Sequence, residues 1–529
     1  MRKFSSYGLV NKNLHYYVPR QELVDRACTQ LLGENPDEGG HYITVWAPRQ
    51  RGKSWVMREA LWRLRKDERF DVLKLNLEHL KMAQDVDRIV ADIARRIVEG
   101  VGGAATPVRK LEQLYDVFRP GVLSKPLILI MDEFDALAQE AISGIASVLR
   151  NIYIQRQDQD DRPSAERDYL LHGVALIGVR SVLGVENVTG SPFNVQRSVH
   201  IPNLTFKQVQ EMYHWYERES GQRVEQEVID RVFYETRGQP GLVSWFGELL
   251  TETYNEHNPT ITARDFEIMF AAATDVLPNS NIVNIISKAK QEPHCSFVLE
   301  LFETHEKVAF RYDDARINFL YLNGVIDQQV EDKDKYYVRF ACPFVQKRLF
   351  NYFAGAIFGE MGQLYAPFED MSDTITDDGL NVKTLLLRYE GYLKKNRAWL
   401  LQDAPRRADL RVREAVYHFN LYMYLDKFLR QRDGQVWPEF PTGNGKLDLL
   451  ARYAGRLYGL EVKSFVSAYE YRKALRQAAR YGRQLGLTEI TLALFVEAVD
   501  DANRARYEAV YEDEETGVTV RPVFVVTGE

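Results

Sequence analysis

The sequence is poor in cysteine and has no long apolar run. Its 529 residues include three cysteines, far apart and without a Cys-x-x-Cys pair, so we expect neither a disulfide framework nor a structural zinc site. The longest apolar runs, 127–131 and 173–179, have the length of strands, whereas a membrane-spanning helix needs about 20 apolar residues. The N-terminal segment lacks the apolar core of about 7–15 residues that a signal peptide contains. These absences predict a cytoplasmic protein with no membrane partner.

A strong charge bias is absent as well. The formal net charge is −7, the charged fraction is 27% and the apolar fraction is 45%. Such values are typical of globular domains and argue against disorder over most of the chain. Because the overall charge does not favour a polyanion, any surface that binds nucleic acid must be local. At about 150 residues per domain, the length predicts three or four domains.

The order of apolar and amphipathic segments predicts an α/β multidomain protein. Strands that alternate with helices predict a parallel-sheet core at 1–205, and a purely helical pattern predicts a lid domain at 206–285. Helices followed by a hairpin predict a winged-helix-like domain at 286–355. We interpret 356–404 as a linker with a helix, including an acidic, turn-rich and exposed segment. A further α/β domain is predicted at 405–529.

The segment APRQRGKSW at 47–55 follows the first predicted strand and opens a helix. This context is typical of a phosphate-binding loop, where backbone N–H groups and the helix dipole favour anions. Lys53 would contact the β- and γ-phosphates of ATP, and Ser54 would ligate Mg²⁺. Ala47 replaces the first glycine of the usual pattern, and alanine adopts a positive φ only at a cost. The predicted cofactor-binding residues of this loop are Arg51, Gly52, Lys53, Ser54 and Trp55.

An acidic pair, Asp132 and Glu133, ends the apolar segment LILIM. Ligands of parallel sheets bind at the carboxyl ends of the strands, so this pair lies where a nucleotide is expected. Asp132 can hold the Mg²⁺ shell, and Glu133 can polarise the attacking water. The alternative is a strand that simply ends in a solvated acidic turn.

Together these segments make residues 15–260 similar to the bacterial AAA-like ATPases related to the STAND and Orc-type P-loop proteins. The resemblance implies that Arg180 senses the γ-phosphate and that Pro240, in the turn after Gly238, packs against the nucleotide. It also implies a role for Arg20 on the base or ribose side, and a winged helix after the lid. For Arg180 the alternative is a helix cap or a surface arginine. The matching segments are YYVPRQELVD, APRQRGKS, LILIMDEFDAL, ALIGVRS, SPFNVQRSVHIPNLT and RGQPGLV.

A second group of chemically suited residues, Asp448 and Glu461-Val462-Lys463, lies on two predicted strands joined by a short turn. Strand alternation places Glu461 and Lys463 on one face, and counting from the turn brings residue 448 beside residue 461. Asp448, Glu461 and the carbonyl of Val462 would bind Mg²⁺ or Mn²⁺ for hydrolysis of a phosphodiester. Lys463 would orient the water, or deprotonate it if the site lowers the pKa of the lysine. The alternative is a set of structural ion pairs.

These residues resemble the PD-(D/E)XK nuclease superfamily over about 405–510, although the leading proline of the family name is absent. The resemblance implies that Glu414 is an additional acidic residue of the site and that Glu439 precedes the metal-binding aspartate. It also implies that Gln477 and Tyr481 form the Gln-x-x-x-Tyr pattern of the following helix. The catalytic residues expected of this domain are Asp448, Glu461, Lys463, Glu414 and Gln477.

The predicted function is that of an ATP-regulated, metal-dependent nuclease that acts on DNA in preference to RNA, in defence against mobile DNA or in DNA processing. Its cofactors would be ATP and Mg²⁺ or Mn²⁺, with a protein trigger and self-association left open. An arginine stripe on one helix, Arg472, Arg476, Arg480 and Arg483, fits contacts with phosphates or an ordinary solvated face. One alternative is a nucleotide-dependent signalling or scaffold protein that binds DNA without cutting it. A DNA-translocating motor is a third, which would need a ring of subunits.

Overall fold

The computed structural model describes residues 1–8, 10–178, 197–304, 307–332, 334–358, 361, 364–365, 369–400, 412–442, 445–465 and 467–528. The chain separates into two units. The first comprises Met1–Lys288 and Ala309–Pro343, and the second comprises Ala289–Val308 and Phe344–Glu529. Residues of the predicted domain at 286–355 therefore occur in both units, and the five-part division of the chain stays a prediction.

A five-stranded sheet forms the core of the first unit. Its strands are β1 (Tyr42–Trp46), β2 (Asp71–Asn76), β3 (Leu127–Asp132), β4 (Leu171–Gly178) and β5 (Arg197–His200). Their order is β2-β3-β4-β1-β5, and every neighbouring pair is parallel. The predicted α/β fold with a parallel sheet is thereby confirmed.

Helices cover both faces of this sheet, which is why β3 and β4 are apolar and buried along their whole length. The helices are α1 (Gln21–Leu32), α2 (Lys53–Leu64), α3 (Val86–Val101) and α4 (Gln139–Gln157). Leu129 of β3 belongs to the apolar cluster of α3 and α4, whereas its neighbour Ile130 belongs to the cluster of α1 and α2. The two buried faces hold the carboxyl ends of the strands in place beside the start of α2.

The rest of the first unit is mostly helical. After the sheet come α5 (Phe206–Ser220), α6 (Gln226–Thr236), α7 (Pro240–Glu248), α8 (Ala263–Asp275) and α9 (Ser280–Ala289), with a two-strand pair β6 (Arg223–Val224) and β7 (Thr260–Ile261). Helix α10 (His294–Glu303) lies in the second unit. Helix α11 (Ala315–Leu322) and an antiparallel hairpin of β8 (Ile326–Asp332) and β9 (Lys335–Phe340) return to the first.

The second unit contains a six-stranded mixed sheet. Its elements, in chain order, are α12 (Pro343–Phe358), β10 (Ile375–Thr376), β11 (Gly379–Leu380), α13 (Val382–Leu400), α14 (Glu414–Arg430), β12 (Gln435–Thr442), β13 (Gly445–Tyr453), β14 (Arg456–Ser464), α15 (Ala468–Gln484), β15 (Glu489–Val496), α16 (Asp501–Tyr507), β16 (Tyr511–Glu512) and β17 (Thr519–Val526). The sheet order is β12-β13-β14-β15-β17-β16. Strands β12 to β14 are antiparallel, and β14, β15 and β17 are parallel.

The acidic segment is exposed at most of its described positions, as expected, and it also contacts the β13–β14 hairpin. The backbone N–H of Leu380 donates to the Tyr458 hydroxyl (3.0 Å), and the Tyr453 hydroxyl donates to the Thr376 carbonyl (2.9 Å). Thr374 is buried at 1% exposure. Acidic composition did not reveal these contacts because their partners lie about 80 residues further along the chain. None of the helices in the described ranges combines the length and the apolar character needed to cross a lipid bilayer.

Candidate functional site

The loop between β1 and α2 turns without strain at Ala47. Positive φ angles occur at Gln50 (58°) and Gly52 (88°), whereas Ala47 is buried in the apolar cluster below the loop. The replacement of the first glycine by alanine therefore does not disturb the turn. Gly52 caps α2 without a side-chain hydrogen bond, so the first N–H groups of the helix remain directed towards a ligand position.

Two sequence motifs meet at the start of α2. The Ser54 hydroxyl donates to Asp132 Oδ1 (3.3 Å), and Lys74 Nζ lies 2.7 Å from Asp132 Oδ2. Lys53 Nζ donates to the carbonyls of Ala47 (2.8 Å) and Pro48 (3.1 Å). Burial lowers the pKa of Lys53 to about 8, although the nearby carboxylates oppose this shift. The carboxyl end of β3 thus lies beside the loop between β1 and α2. This is the edge of a parallel sheet at which ligands are expected to bind.

Glu133, directly after β3, adopts a left-handed conformation with φ of 56°. Its backbone N–H donates to Asp132 Oδ1 (3.1 Å). Burial raises the pKa of the Glu133 carboxyl, and the charges of Asp135 and Asp132 raise it further. A strained residue with a perturbed carboxyl at a ligand-facing strand end is typical of a functional position.

The turn before α7 and the start of that helix contact the loop between β1 and α2. The N–H of Gly241 donates to the Gln50 carbonyl (3.2 Å), and Gln239 Nε2 donates to the Arg49 carbonyl (3.3 Å). Pro240 is the first residue of α7. Gly238 has a φ of +70°, and a Cβ there would lie 2.0 Å from the Leu204 carbonyl oxygen, so only glycine fits.

Arg20 and Trp55, which were also predicted for this site, contact other residues of the protein. The guanidinium of Arg20 donates to the carbonyls of Arg51 (3.5 Å) and Asn203 (3.3 Å). The ring of Trp55 packs against aromatic rings, with centroids 5.5 Å from Tyr17 and 5.7 Å from Trp62. Arg180 lies outside the described residues.

The loop has the chemistry of a triphosphate site. The loop carries an ammonium (Lys53) and a guanidinium (Arg51), and it leads into a helix N-terminus without a side-chain cap. The buried Nε of Arg51 and Oε1 of Gln50 have no hydrogen-bond partner among the described residues. Ser54 and Asp132 supply the oxygen atoms that Mg²⁺ prefers. These residues fit a nucleotide with its magnesium ion.

In the second unit, the hairpin β13–β14 brings Asp448 and Glu461 together. Leu449 pairs with Leu460, which puts Asp448 opposite Glu461 as the turn count predicts. Asp448 Oδ2 accepts the N–H of Val462 (2.7 Å). Lys463 Nζ lies 2.9 Å from Glu461 Oε1 and 3.6 Å from Asp448 Oδ2. It also donates to the Val462 carbonyl (2.8 Å).

This carboxylate–lysine cluster, defined as Asp448, Glu461, Val462 and Lys463, is almost completely removed from water. Burial raises the pKa of the Glu461 carboxyl, and the charge of Asp448 raises it further. Burial alone would lower the pKa of Lys463, but Asp448, Glu461 and Glu414 outweigh it and raise that pKa. The role of Lys463 as a base, which needs a lowered pKa, stays a prediction. The carboxylates around the ammonium favour its protonated form.

Residues of helices α14 and α15 lie around the carboxylate–lysine cluster. Glu414, at the start of α14, accepts the N–H of Ser464 at the end of β14 (2.7 Å). On α15, Gln477 Nε2 donates to the Tyr481 hydroxyl (2.9 Å), and burial followed by the charge of Glu461 raises the pKa of Tyr481. The side chain of Glu439 lies outside the described part of the structure.

Sequence analysis missed His418, whose Nε2 donates to the Asp448 carbonyl (2.9 Å). Its spacing of four residues from Glu414 puts the two side chains on one face of α14, which is the signal that could have identified it.

The cluster offers a divalent cation two carboxylates and one carbonyl. Within the ranges that the structure describes, no group of three or more His, Cys, Asp or Glu side chains is placed to hold a metal ion. Water would have to supply the remaining ligands, as it does at many magnesium sites. The ammonium of Lys463 touches Glu461 and the Val462 carbonyl, so it lies where a cation would bind. The oxygen atoms of the cluster are of the kind that Mg²⁺ and Mn²⁺ bind.

The arginine stripe of α15 is exposed along its length. Arg483 donates to the Thr516 carbonyl (2.9 Å). Arg476 and Glu514 both act on the pKa of Tyr511, which places the acidic turn at 512–515 beside the stripe.

The sequence matches no protein-family model and no curated protein. Among solved structures, the chain is similar to the Aeropyrum pernix Orc1 protein in complex with DNA, at 16% identity and a TM-score of 0.33 over 63% of this chain and 92% of that chain. It is similar to a Walker-type ATPase of Pyrococcus abyssi, at 13% identity and a TM-score of 0.41 over 66% and 98%. It is also similar to Cdc6p of Pyrobaculum aerophilum, at 14% identity and a TM-score of 0.33 over 63% and 94%.

Proposed function

We propose that this chain binds and hydrolyses ATP at the loop before α2, and cleaves phosphodiester bonds of nucleic acid at the carboxylate–lysine cluster. The observation that carries the nuclease proposal is the cluster itself. Two buried carboxylates, a backbone carbonyl and an ammonium meet on adjacent strands, 13 to 15 residues apart in sequence. Burying these charged side chains costs free energy unless they pair with one another or with a ligand.

Each residue of the cluster has a distinct role in this proposal. Asp448, Glu461 and the Val462 carbonyl would hold Mg²⁺ or Mn²⁺, which supplies an activated water and charge neutralisation when bound. Lys463 keeps its positive charge and orients a phosphate oxygen of the substrate. Glu414 fixes the end of β14 through Ser464, and His418 fixes the backbone of Asp448.

At the ATP site, Lys53 would contact the phosphates, and Ser54 with Asp132 would hold Mg²⁺. Glu133 would accept a proton from the attacking water, a role that suits a carboxyl of raised pKa. We propose that the nucleotide state of the first unit licenses cleavage by the second, with DNA as the favoured substrate.

Cleavage of supercoiled and linear DNA, and of RNA, tests the nuclease directly. The assay uses Mg²⁺ or Mn²⁺ with no nucleotide, with ATP and with a non-hydrolysable analogue. Asp448→Asn and Glu461→Gln should lower the rate by about 100-fold or more. Lys395→Ala, which changes an exposed lysine of the same unit, is the matched control. Equal cutting by Asp448→Asn and by Lys395→Ala would remove the nuclease proposal.

The contacts of Lys463 favour one second candidate, a nucleotide-dependent switch that binds DNA without cutting it. Because the ammonium lies among the oxygen atoms expected to hold the metal, it can replace that metal as a structural cation. This candidate predicts DNA binding with no cleavage under any metal or nucleotide condition. Nucleotide retained through purification, with negligible phosphate release, would also favour it.

A further inference from the structure

The first turns of α15 combine an exposed aromatic ring with exposed basic side chains. Tyr469 is 67% exposed. It lies three residues before Arg472, so the two side chains share one face of the helix. Arg476 follows one turn later, and its Nε donates to the Arg472 carbonyl (3.5 Å). Tyr469 thus extends the arginine stripe at its N-terminal end.

Helix α15 carries a surplus of positive charge, although the formal net charge of the chain is −7. Its one acidic residue is Glu470, which lies 4.0 Å from the ammonium of Lys473. An exposed surplus of this kind on a single helix is complementary to a polyanion. The basic residues of the helix are Arg472, Lys473, Arg476, Arg480 and Arg483.

Aromatic packing fixes the start of α15 in place. The ring of Tyr471 lies 6.1 Å from that of Phe465 and 5.1 Å from that of Tyr507, at the end of α16. The Tyr471 hydroxyl also donates to the Tyr507 carbonyl (2.7 Å). Arg506 is exposed and lies over the Tyr507 ring (5.3 Å). The helix therefore presents Tyr469 on a rigid base, with a further guanidinium beside the start of the helix.

This surface adjoins the carboxylate–lysine cluster. Ala468, the first residue of α15, follows Ser464 at the end of β14 by four positions, a reach of at most about 14 Å. The same helix contributes Tyr481, on whose pKa the charge of Glu461 acts. Successive phosphates of one strand of B-DNA are about 3.4 Å apart along the axis, so about four nucleotides cover that reach.

We propose that Tyr469, Arg472 and Arg506 bind an unpaired stretch of nucleic acid next to the phosphate that is cut, with one base stacked on the Tyr469 ring. Every base has a π-face, so an exposed aromatic ring beside guanidinium groups suits a single strand of any sequence. In a duplex the bases already stack on one another and their faces are covered. The inference names the strand form of the substrate, and it rests on the proposed nuclease function for the class of its ligand.

Equilibrium binding of a labelled oligothymidylate of about 16 nucleotides to the full chain tests this surface. A chelator is present, so that no metal-dependent cleavage occurs. Tyr469→Ala should weaken binding about tenfold, as expected for the loss of one stacked base, and Tyr469→Phe, which keeps a ring, should bind as the parent does. Arg472→Gln should lower the slope of log affinity against log salt by about 0.7, the value for one phosphate contact of a single strand.

Two further ligands and one further variant are the controls. A duplex of the same length, and an abasic strand that keeps the phosphates but has no bases, should each bind Tyr469→Ala and the parent equally. Arg521→Gln changes an exposed arginine of the same unit, which lies 2.6 Å from Glu489, and should bind the oligothymidylate as the parent does.

Equal affinity of Tyr469→Ala and the parent for the oligothymidylate would overturn the inference. An equal loss on the abasic strand would overturn it as well, because no base is then involved. Replacing the chelator with Mg²⁺ or Mn²⁺ separates this inference from the nuclease proposal. If the parent and Tyr469→Ala bind and cut single strands alike, the nuclease stands without this surface. Binding that depends on Tyr469 without any cutting supports the surface and removes the nuclease.

Discussion

Replacing Lys463 with methionine removes the positive charge between Asp448 and Glu461 but keeps a long unbranched side chain. Lys463 Nζ lies 2.9 Å from Glu461 Oε1 and 3.6 Å from Asp448 Oδ2. At an effective dielectric constant of about 20, these attractions amount to about 6 and about 5 kcal/mol before desolvation is subtracted. Breaking a buried ion pair from one side typically costs about 3–5 kcal/mol. We expect Lys463→Met to lower the free energy of unfolding by that amount.

A divalent cation should restore part of the stability that the methionine variant loses, because the two carboxylates are then free of their ammonium. Saturation at about 100 times the dissociation constant adds about 2.7 kcal/mol. The second unit has about 200 residues, so a change of 3–5 kcal/mol shifts its unfolding temperature by roughly 6–20 °C. Calorimetry of the full chain with and without Mg²⁺ or Mn²⁺ measures both effects.

Lys395→Met is the control for this experiment, since Lys395 is exposed. Unchanged stability of Lys463→Met would refute the buried ion pairs. A loss of stability that Mg²⁺ and Mn²⁺ do not reverse beyond their effect on Lys395→Met would refute the metal site.

Three further predictions concern the first unit. Burial lowers the pKa of His172 to about 3 from its usual value near 6.5, so its contribution to stability is complete above pH 6.5 and is lost as the pH falls towards 3. In urea denaturation at a series of pH values, the free energy of unfolding of the parent should fall by about 2–3 kcal/mol relative to the non-titrating His172→Gln between pH 7 and about 4.5. Parallel curves of unfolding free energy against pH for the two proteins would contradict this. Gly238→Ala should lower the free energy of unfolding by at least about 2 kcal/mol, because its Cβ would meet the Leu204 carbonyl. Gly102→Ala, at a position with a φ of +67° but open space around it, should cost about 1 kcal/mol. Equal losses of the two variants in chemical denaturation would exclude the clash. Lys53→Ala should weaken ATP binding about 100-fold or more in fluorescence titration, because it removes the ammonium expected to contact the phosphates. Unaltered affinity would place the nucleotide elsewhere.

The sequence predicted those features that depend on residues close to one another in the chain. Apolar runs identified β3 and β4 because strands buried on both faces are apolar at every position. The turn at 454–455 sufficed to place Asp448 opposite Glu461, because the register of a hairpin follows from its turn.

The remaining features depend on contacts between distant segments. Asp327 lies near Arg51 although 276 residues separate them, and no periodicity records such a contact. The raised pKa of Lys463 likewise arises from three carboxylates on separate elements, one of them Glu414 of α14. A tripeptide Glu-x-Lys cannot reveal whether its lysine will gain or lose affinity for a proton.

Single-turnover cleavage of end-labelled DNA by the parent chain and by Asp448→Asn, at matched DNA occupancy and with Mg²⁺ or Mn²⁺, tests the central claim most directly. We predict that the parent cuts, that chelation of the metal stops it, and that Asp448→Asn binds the DNA equally well but cuts about 100-fold more slowly or not at all. Cutting by both proteins at one rate, or cutting that survives chelation, would contradict a metal-dependent site at Asp448 and Glu461.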